Sequence, residues 1–301
     1  IGITFRAVWS QWLFVQGGAS QQFAAVPLNL MHKGKADYLV TGNFAKKAWQ
    51  EGKIYGAARV AASSEDKVYT YIPDLDKVEF DDDADYVHFT SNNTIFGTRF
   101  TKFPETKAPL ACDMSSDILS REIDVSKFGV IYAGAQKNLA PAGVTIVIAR
   151  KDLIENPRPE CPTMLKWKTQ AENGSLYNTP PCFSIYMATL VLRWLKKLGG
   201  VKKMNKINVY KAGLLYDFID NSSFYSNGVV KKDRSIMNVP FVTPSKDTDE
   251  KFVKEAKAAG LVSLKGHRLV GGMRASIYNA MPVEGVKALI EFMKKFENEN
   301  K

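Results

Sequence analysis

Asp113 and Lys137 are the residues of this chain whose types and positions best suit chemistry. Asp113 closes the apolar run Ala108 to Cys112, and Lys137 follows the run Phe128 to Tyr132 and a tight turn of small residues. Both therefore fall where strands of a buried sheet give way to loops, the edge at which open α/β sheets bind their ligands. Gln136 and Asn138 flank the lysine, with Pro141 and Gly143 just beyond. These neighbours suit neither a continuing helix nor a solvated charged face. A buried lysine sheds its proton more readily than a solvated one and becomes nucleophilic. The run Gly17, Gly18, Ala19, Ser20 opens a helical pattern through Phe23, Val26, Leu28 and Leu30. Free N–H groups at such a helix start favour a phosphate, although the same four residues also fit a plain strand-to-helix connection.

The elements that position these residues alternate. Leu13 to Val15 reads as a strand, Ala36 to Thr41 as another, Asn43 to Tyr55 as a helix, and Ala58 to Ala62 and Tyr86 to Thr90 as strands. That alternation predicts parallel βαβ packing. The polar cluster Ser91 to Thr94 then lies on the same rim as Asp113, and Phe44, just after Gly42, projects from that rim too. Ser63 to Asp85, with Pro73 and the run Asp81 to Asp83, reads as a surface crossing. Arg150 to Gly174 is loop-rich, and Asn178, Thr179, Pro180 and Pro181 precede an apolar helix from Phe183 to Leu198. Gly199 and Gly200 end it and mark the expected domain boundary, so that 1–198 forms a large unit and 199–301 a small α+β unit. In the latter we expect helices over 201–219, 247–259 and 283–297, a strand over 235–242, and strands near Leu261 and Met273. Glycines bound the runs around His267, Arg268 and Arg274. The opening segment with Phe5, Trp9 and Trp12 shows neither a helix cap nor strict alternation.

Composition narrows the function classes. The chain has 301 residues, 45% hydrophobic and 24% charged, an ordinary globular make-up with ample core for one large and one smaller domain. Its formal charge of +10 is dispersed, without the basic blocks and interleaved aromatics of a nucleic-acid binder, and fits an anionic small substrate. Three cysteines at irregular spacing fit reduced thiols in a cytoplasmic compartment. No run is long and apolar enough for a membrane helix, no signal peptide is evident, and no metal is expected.

Four stretches carry a specific resemblance: QGGASQQFAAVPLNL from Gln16, DMSSDILSREIDVSKFGVIYAGAQKNLAPAG from Asp113, NGSLYNTPP from Asn173, and LKGHRLVGGMRASIYNAMP from Leu264. Together they resemble the phosphoserine aminotransferase family, within the class V, fold-type I enzymes that use pyridoxal 5′-phosphate. The resemblance implies an α/β fold in which a mostly parallel seven-stranded sheet is sandwiched by helices, with a smaller C-terminal α+β domain. It implies that Lys137 anchors the cofactor covalently and that Asp113 pairs with its ring nitrogen. By the same likeness Phe44 stacks on the ring, Thr94 lies near its phenolic oxygen, and Ala19, Ser20 and Gln136 hold its phosphate. Asn178 and Thr179 are similar to the pair that reaches the neighbouring subunit's cofactor, which implies a homodimer with shared sites. His267, Arg268 and Arg274 resemble residues that bind substrate phosphate and carboxylate. The implied reaction is amino transfer from glutamate to 3-phosphohydroxypyruvate in serine biosynthesis.

Some positions depart from the family pattern. Phe44 stands where a tryptophan is usual, and it can stack with less area and no indole N–H. Ser20 stands where some members have an arginine. Family members also carry further N-terminal residues, including a His-Arg pair at the substrate site, and Ile1 to Trp12 aligns poorly with their approach to the glycine turn. The alternative expectation is a truncated, catalytically impaired relative that keeps the fold, the dimer and cofactor binding.

Overall fold

The computed structural model describes residues 10–301; the opening stretch with Phe5 and Trp9 lies outside them. In chain order the elements are β1 (Ser10–Val15), α1 (Gly18–Leu30), β2 (Lys35–Val40), α2 (Asn43–Tyr55), β3 (Ala57–Ser63) and β4 (Val87–Thr90). A small ribbon follows, β5 (Asn92–Asn93) with β6 (Thr98–Arg99), then β7 (Leu110–Asp113), β8 (Val130–Gly134) and β9 (Thr145–Arg150). Helices α3 (Trp167–Glu172), α4 (Cys182–Leu198) and α5 (Gly200–Asn221) lead to β10 (Asn238–Phe241), α6 (Lys246–Ala258), β11 (Met273–Ser276) and α7 (Val283–Asn300).

One sheet of seven strands, ordered β1-β9-β8-β7-β4-β2-β3, organises the first part. Pairings from β3 across to β8 are parallel, while β9 runs antiparallel to both β8 and β1. The mostly parallel α/β sheet is therefore as expected. Its central strands are apolar without interruption because both faces are covered. Successive residues of one strand feed opposite cores: Cys112, Ile131, Ile146 and Ile148 pack on the face that meets α4 and the start of α5. Ala111, Val130, Tyr132 and Val147 pack on the face that meets α1 and Trp167. The parallel order puts the carboxyl ends of β4, β7 and β8 on one rim, and with them Ser91, Asp113 and the turn to Lys137.

The second part builds a separate core from α5, β10, β11, α6 and α7, in which Phe252 meets Phe241, Phe292 and Phe296 edge-on. Gly199, at φ 109°, separates α4 from α5. Val201 and Met204 still pack in the first core and Ala212 onward in the second, so α5 belongs to both.

Three local readings need correction. Strand β1 starts at Ser10 rather than Leu13, because antiparallel pairing from Ser10↔Arg150 to Val15↔Thr145 extends it. The strand expected over 235–242 is confined to Asn238–Phe241. Ahead of it the Ser235 hydroxyl accepts the N–H groups of Met237 and Asn238, turning the chain. No strand forms at Leu261: its N–H closes the end of α6 on Ala256 O beyond Gly260, and the one bridge to Met273 comes from Lys265.

Candidate active site

Asp113 ends β7 with its side chain 4% exposed. The backbone N–H and hydroxyl of Ser115 both donate to its Oδ1, at 2.9 and 2.6 Å. The Ser115 hydroxyl is in turn fixed by Gly134 N–H at 3.0 Å, at the end of the neighbouring strand β8. Among the described residues no donor reaches Oδ2. Burial raises the carboxyl's pKa above its ordinary value, against the Ser115 bonds and the charge of Lys137, which lower it. Such a carboxylate is fixed at one oxygen and short of a cation at the other.

Lys137 sits in the turn after β8, which folds back through Leu139 and Ala140 N–H bonds to Ala135 O. Its Nζ donates to Thr94 Oγ1 at 2.7 Å and lies 5.5 Å from the centre of the Phe44 ring. Its pKa is lowered to about 8, chiefly by burial; Asp113 opposes the shift and Arg274 adds to it. The structure thus brings Asp113, Lys137, Thr94 and Phe44 into one place from four different segments. Gln136 is exposed beside them on the same turn.

Ala19 and Ser20 lie in the first turn of α1, whose cap residue Gly17 has φ 89°. A Cβ there would lie 1.6 Å from Gln21 Oε1, so only glycine fits this left-handed position. No acidic residue occupies that first turn, which leaves its N–H groups and positive dipole end open to an anion. Asn178 and Thr179 are exposed on the loop before α4, tethered by Gln16 Nε2 donating to Thr179 O at 3.0 Å. Among the described residues no hydrogen bond or ion pair joins them to Lys137.

The other expected residues gather around β11. Gly266 N–H bonds Gly272 O at 2.8 Å and closes a tight loop. A Cβ on Gly266 would lie 2.0 Å from Gly271 O, so the loop depends on that glycine. His267 and Arg268 sit on this loop, and Arg274 follows on β11, its Nε donating to Ser276 Oγ at 3.3 Å. Burial lowers the pKa of His267, and the charges of Arg274, Arg268 and Lys47 lower it further. Among the described residues His267, Arg268 and Arg274 make no ion pair, while Arg121 and Arg234 each hold an aspartate. Two guanidinium groups without a carboxylate partner, one of them acting on the reactive lysine, suit an anionic substrate.

Sequence reasoning missed several members of the site. Ser115 carries a readable signal, a serine two residues after an aspartate, the spacing of a side chain that caps its own turn. Asn92 donates to Ser116 Oγ at 2.8 Å and to Asn238 Oδ1 at 2.9 Å, tying the rim to β10. Asn238 also donates to the Tyr278 hydroxyl at 3.1 Å, beside Thr94 and Arg274. No local pattern marks Tyr278, because its place depends on two distant segments meeting.

The sheet and this rim define an aminotransferase of class V: that family's model matches residues 5–289, and the chain belongs to the family. Among its relatives the phosphoserine aminotransferase of Bacillus cereus is 55% identical over 291 residues, 96% of this chain and 81% of the relative. That of Desulfosudis oleivorans is 56% identical over 292 residues, 96% of this chain and 80% of its own. The solved phosphoserine aminotransferase from Bacillus circulans subsp. alkalophilus superposes with a TM-score of 0.95 at 49% identity, over 97% of this chain and 82% of that one. The pyridoxal-phosphate-bound phosphoserine aminotransferase from Trichomonas vaginalis gives 0.90 at 40% identity, over 95% and 82%.

Proposed function

We propose that this chain is a phosphoserine aminotransferase that passes the amino group of glutamate to 3-phosphohydroxypyruvate, giving O-phosphoserine and 2-oxoglutarate for serine biosynthesis. It works as a cytoplasmic homodimer with pyridoxal 5′-phosphate as cofactor. One observation carries the reading: a half-buried lysine of lowered pKa shares a rim with His267 and with the guanidinium groups of Arg268 and Arg274, which no carboxylate among the described residues neutralises. The similarity to phosphoserine aminotransferases favours the active reading over a catalytically impaired relative.

The residues present fit the cofactor. The unpartnered Oδ2 of Asp113 suits a protonated ring nitrogen, and the Phe44 ring beside Lys137 offers a flat apolar surface. Ala19, Ser20 and Gln136 would take the phosphate at the start of α1, and Thr94 the phenolic oxygen. Asn178 and Thr179 would complete the phosphate grip of the second subunit. Pyridoxal phosphate supplies an aldehyde and an electron-accepting ring. Lys137 Nζ would hold that aldehyde covalently and, as a free amine, would take up the proton at the substrate's α-carbon. Asp113 would keep the ring nitrogen protonated, and Arg274 and Arg268 would orient the substrate's anionic ends through their planar forks.

The dimer reading rests on α4. Phe183, Tyr186, Leu190 and Trp194 form one stripe along it, with Phe183 68% and Tyr186 60% exposed. Leu190 and Trp194 line the same hollow of about 530 Å³ as Lys137 to Pro141, so a second chain covering the stripe would also close the site. We further assign 1–198 to cofactor binding and 199–301 to a small domain joined through α5.

Amination of two keto acids tests the reading, with glutamate as donor. 3-Phosphohydroxypyruvate is expected to exceed hydroxypyruvate by about 100-fold or more in kcat/KM, the loss of two or so charge-assisted bonds. Equal rates would remove the phosphate assignment, and amination of neither would remove the whole reading.

A further inference from the structure

Lys47 lies beside the site, exposed, and no carboxylate among the described residues pairs with it. It lies on α2 one turn after Phe44, and its Nζ sits 5.8 Å from the centre of the Phe44 ring, the same ring that has Lys137 Nζ at 5.5 Å. Lys47 therefore reaches back toward the start of the helix, as helical side chains do. That end carries the positive pole of the dipole and no acidic residue in its first turn, so a cation there is unfavourable on its own. The carboxylate at ion-pair spacing, Glu51, stands four residues on, in the less favourable order of lysine before glutamate. Glu51 instead accepts from the Tyr55 hydroxyl at 3.3 Å. The adjacent Lys46 is neutralised by Glu65, whereas Lys47 makes no ion pair among the described residues. Lys47 also acts electrostatically on His267, on the loop that carries Arg268.

We propose that Lys47 is a phosphate ligand of the substrate, joining His267, Arg268 and Arg274 in one anion-binding wall that favours a doubly charged phosphate over a singly charged carboxylate. The proposal rests on the phosphoserine aminotransferase reading for its substrate, while the place of Lys47 beside the site rests on its approach to the Phe44 ring that Lys137 also approaches. Two adjacent lysines carry opposite assignments: Lys46 is taken up by an internal ion pair, and Lys47 is kept for the ligand.

The test compares cofactor-loaded wild type with Lys47→Gln, Lys47→Arg and, as a control outside the site, Lys46→Gln. Lys47→Gln is expected to raise the KM for 3-phosphohydroxypyruvate about tenfold, with kcat within about twofold, the loss of one bond between charged partners. The KM for glutamate should move less, Lys47→Arg should recover most of the loss, and Lys46→Gln should match wild type. Inorganic phosphate should weaken in parallel as a competitor. Lys47→Gln indistinguishable from Lys46→Gln in both measurements would overturn the proposal. If wild type does not aminate 3-phosphohydroxypyruvate, the functional reading fails, and Lys47 is judged by inorganic phosphate alone. A rise in melting midpoint with phosphate that Lys47→Gln abolishes supports the proposal, and an equal rise in both proteins sinks it.

Discussion

Lys137→Ala is expected to abolish the visible absorption of lysine-bound cofactor and to lower amino transfer by a factor on the order of 10³ or more, since anchor and proton acceptor disappear together. Added small primary amines should restore part of the rate, because they can move the proton without occupying the turn. The pH dependence follows from burial. The lysine's pKa is lowered to about 8 from the ordinary 10.5, so its charged form is penalised in the folded protein. That cost is fully present below pH 8 and fades as pH rises toward the ordinary value. The free amine that attacks an aldehyde grows over the same interval. Reaction of cofactor-free protein with pyridoxal phosphate should therefore quicken through about pH 8 and level off above it, without waiting for pH 10.5. A profile that climbs only near the ordinary lysine value would place Lys137 in water.

Asp113→Asn is expected to lower kcat by about 10² to 10³-fold with little change in KM, the scale of removing one partner from a buried charge pair. Asparagine keeps the shape and can still accept at Oδ1 from Ser115, so the loss isolates the charge. The stability of cofactor-free protein should move the other way. Burial lifts the Asp113 carboxyl above its ordinary pKa, so the folded state bears the cost of an ionised group once pH exceeds the range where that carboxyl is protonated. The neutral amide introduced by Asp113→Asn removes the cost at neutral pH, and the advantage should vanish as pH falls through the ordinary carboxylate range. A protein that is less active and equally or more stable marks a residue kept for chemistry. Loss of both would make Asp113 a structural cap instead.

Much of this was legible because a parallel sheet buried on both faces writes itself as apolar runs, and the residue that ends each run is polar. Asp113 after Leu110 to Cys112 and Lys137 after Val130 to Gly134 are cases of that punctuation. The gathering of His267, Arg268 and Arg274 was legible for a similar reason, since glycines that permit the tight Gly266 to Gly272 loop stand out in the chain. Lys47 and Tyr278 were not legible. A helical lysine announces neither which carboxylate it will refuse nor which ring it will cross, and the Tyr278 hydroxyl is located by Asn238, forty residues away. The strand expected near Leu261 failed for a related reason: an apolar pair after Gly260 serves equally to close a helix on Ala256. The apolar run of α4 reads as a helix from its sequence, but its exposed stripe appears only once the sheet has taken its other side.

The central claim is that one lysine and one wall of cations serve a single phosphorylated substrate. The most direct measurement is the visible spectrum of cofactor-loaded protein titrated with O-phosphoserine and then with 2-oxoglutarate. We predict that O-phosphoserine bleaches the lysine-bound band, that 2-oxoglutarate restores it, and that Lys137→Ala shows no such band at any stage. A wild-type band unmoved by saturating O-phosphoserine, or the same band in Lys137→Ala, would contradict the account.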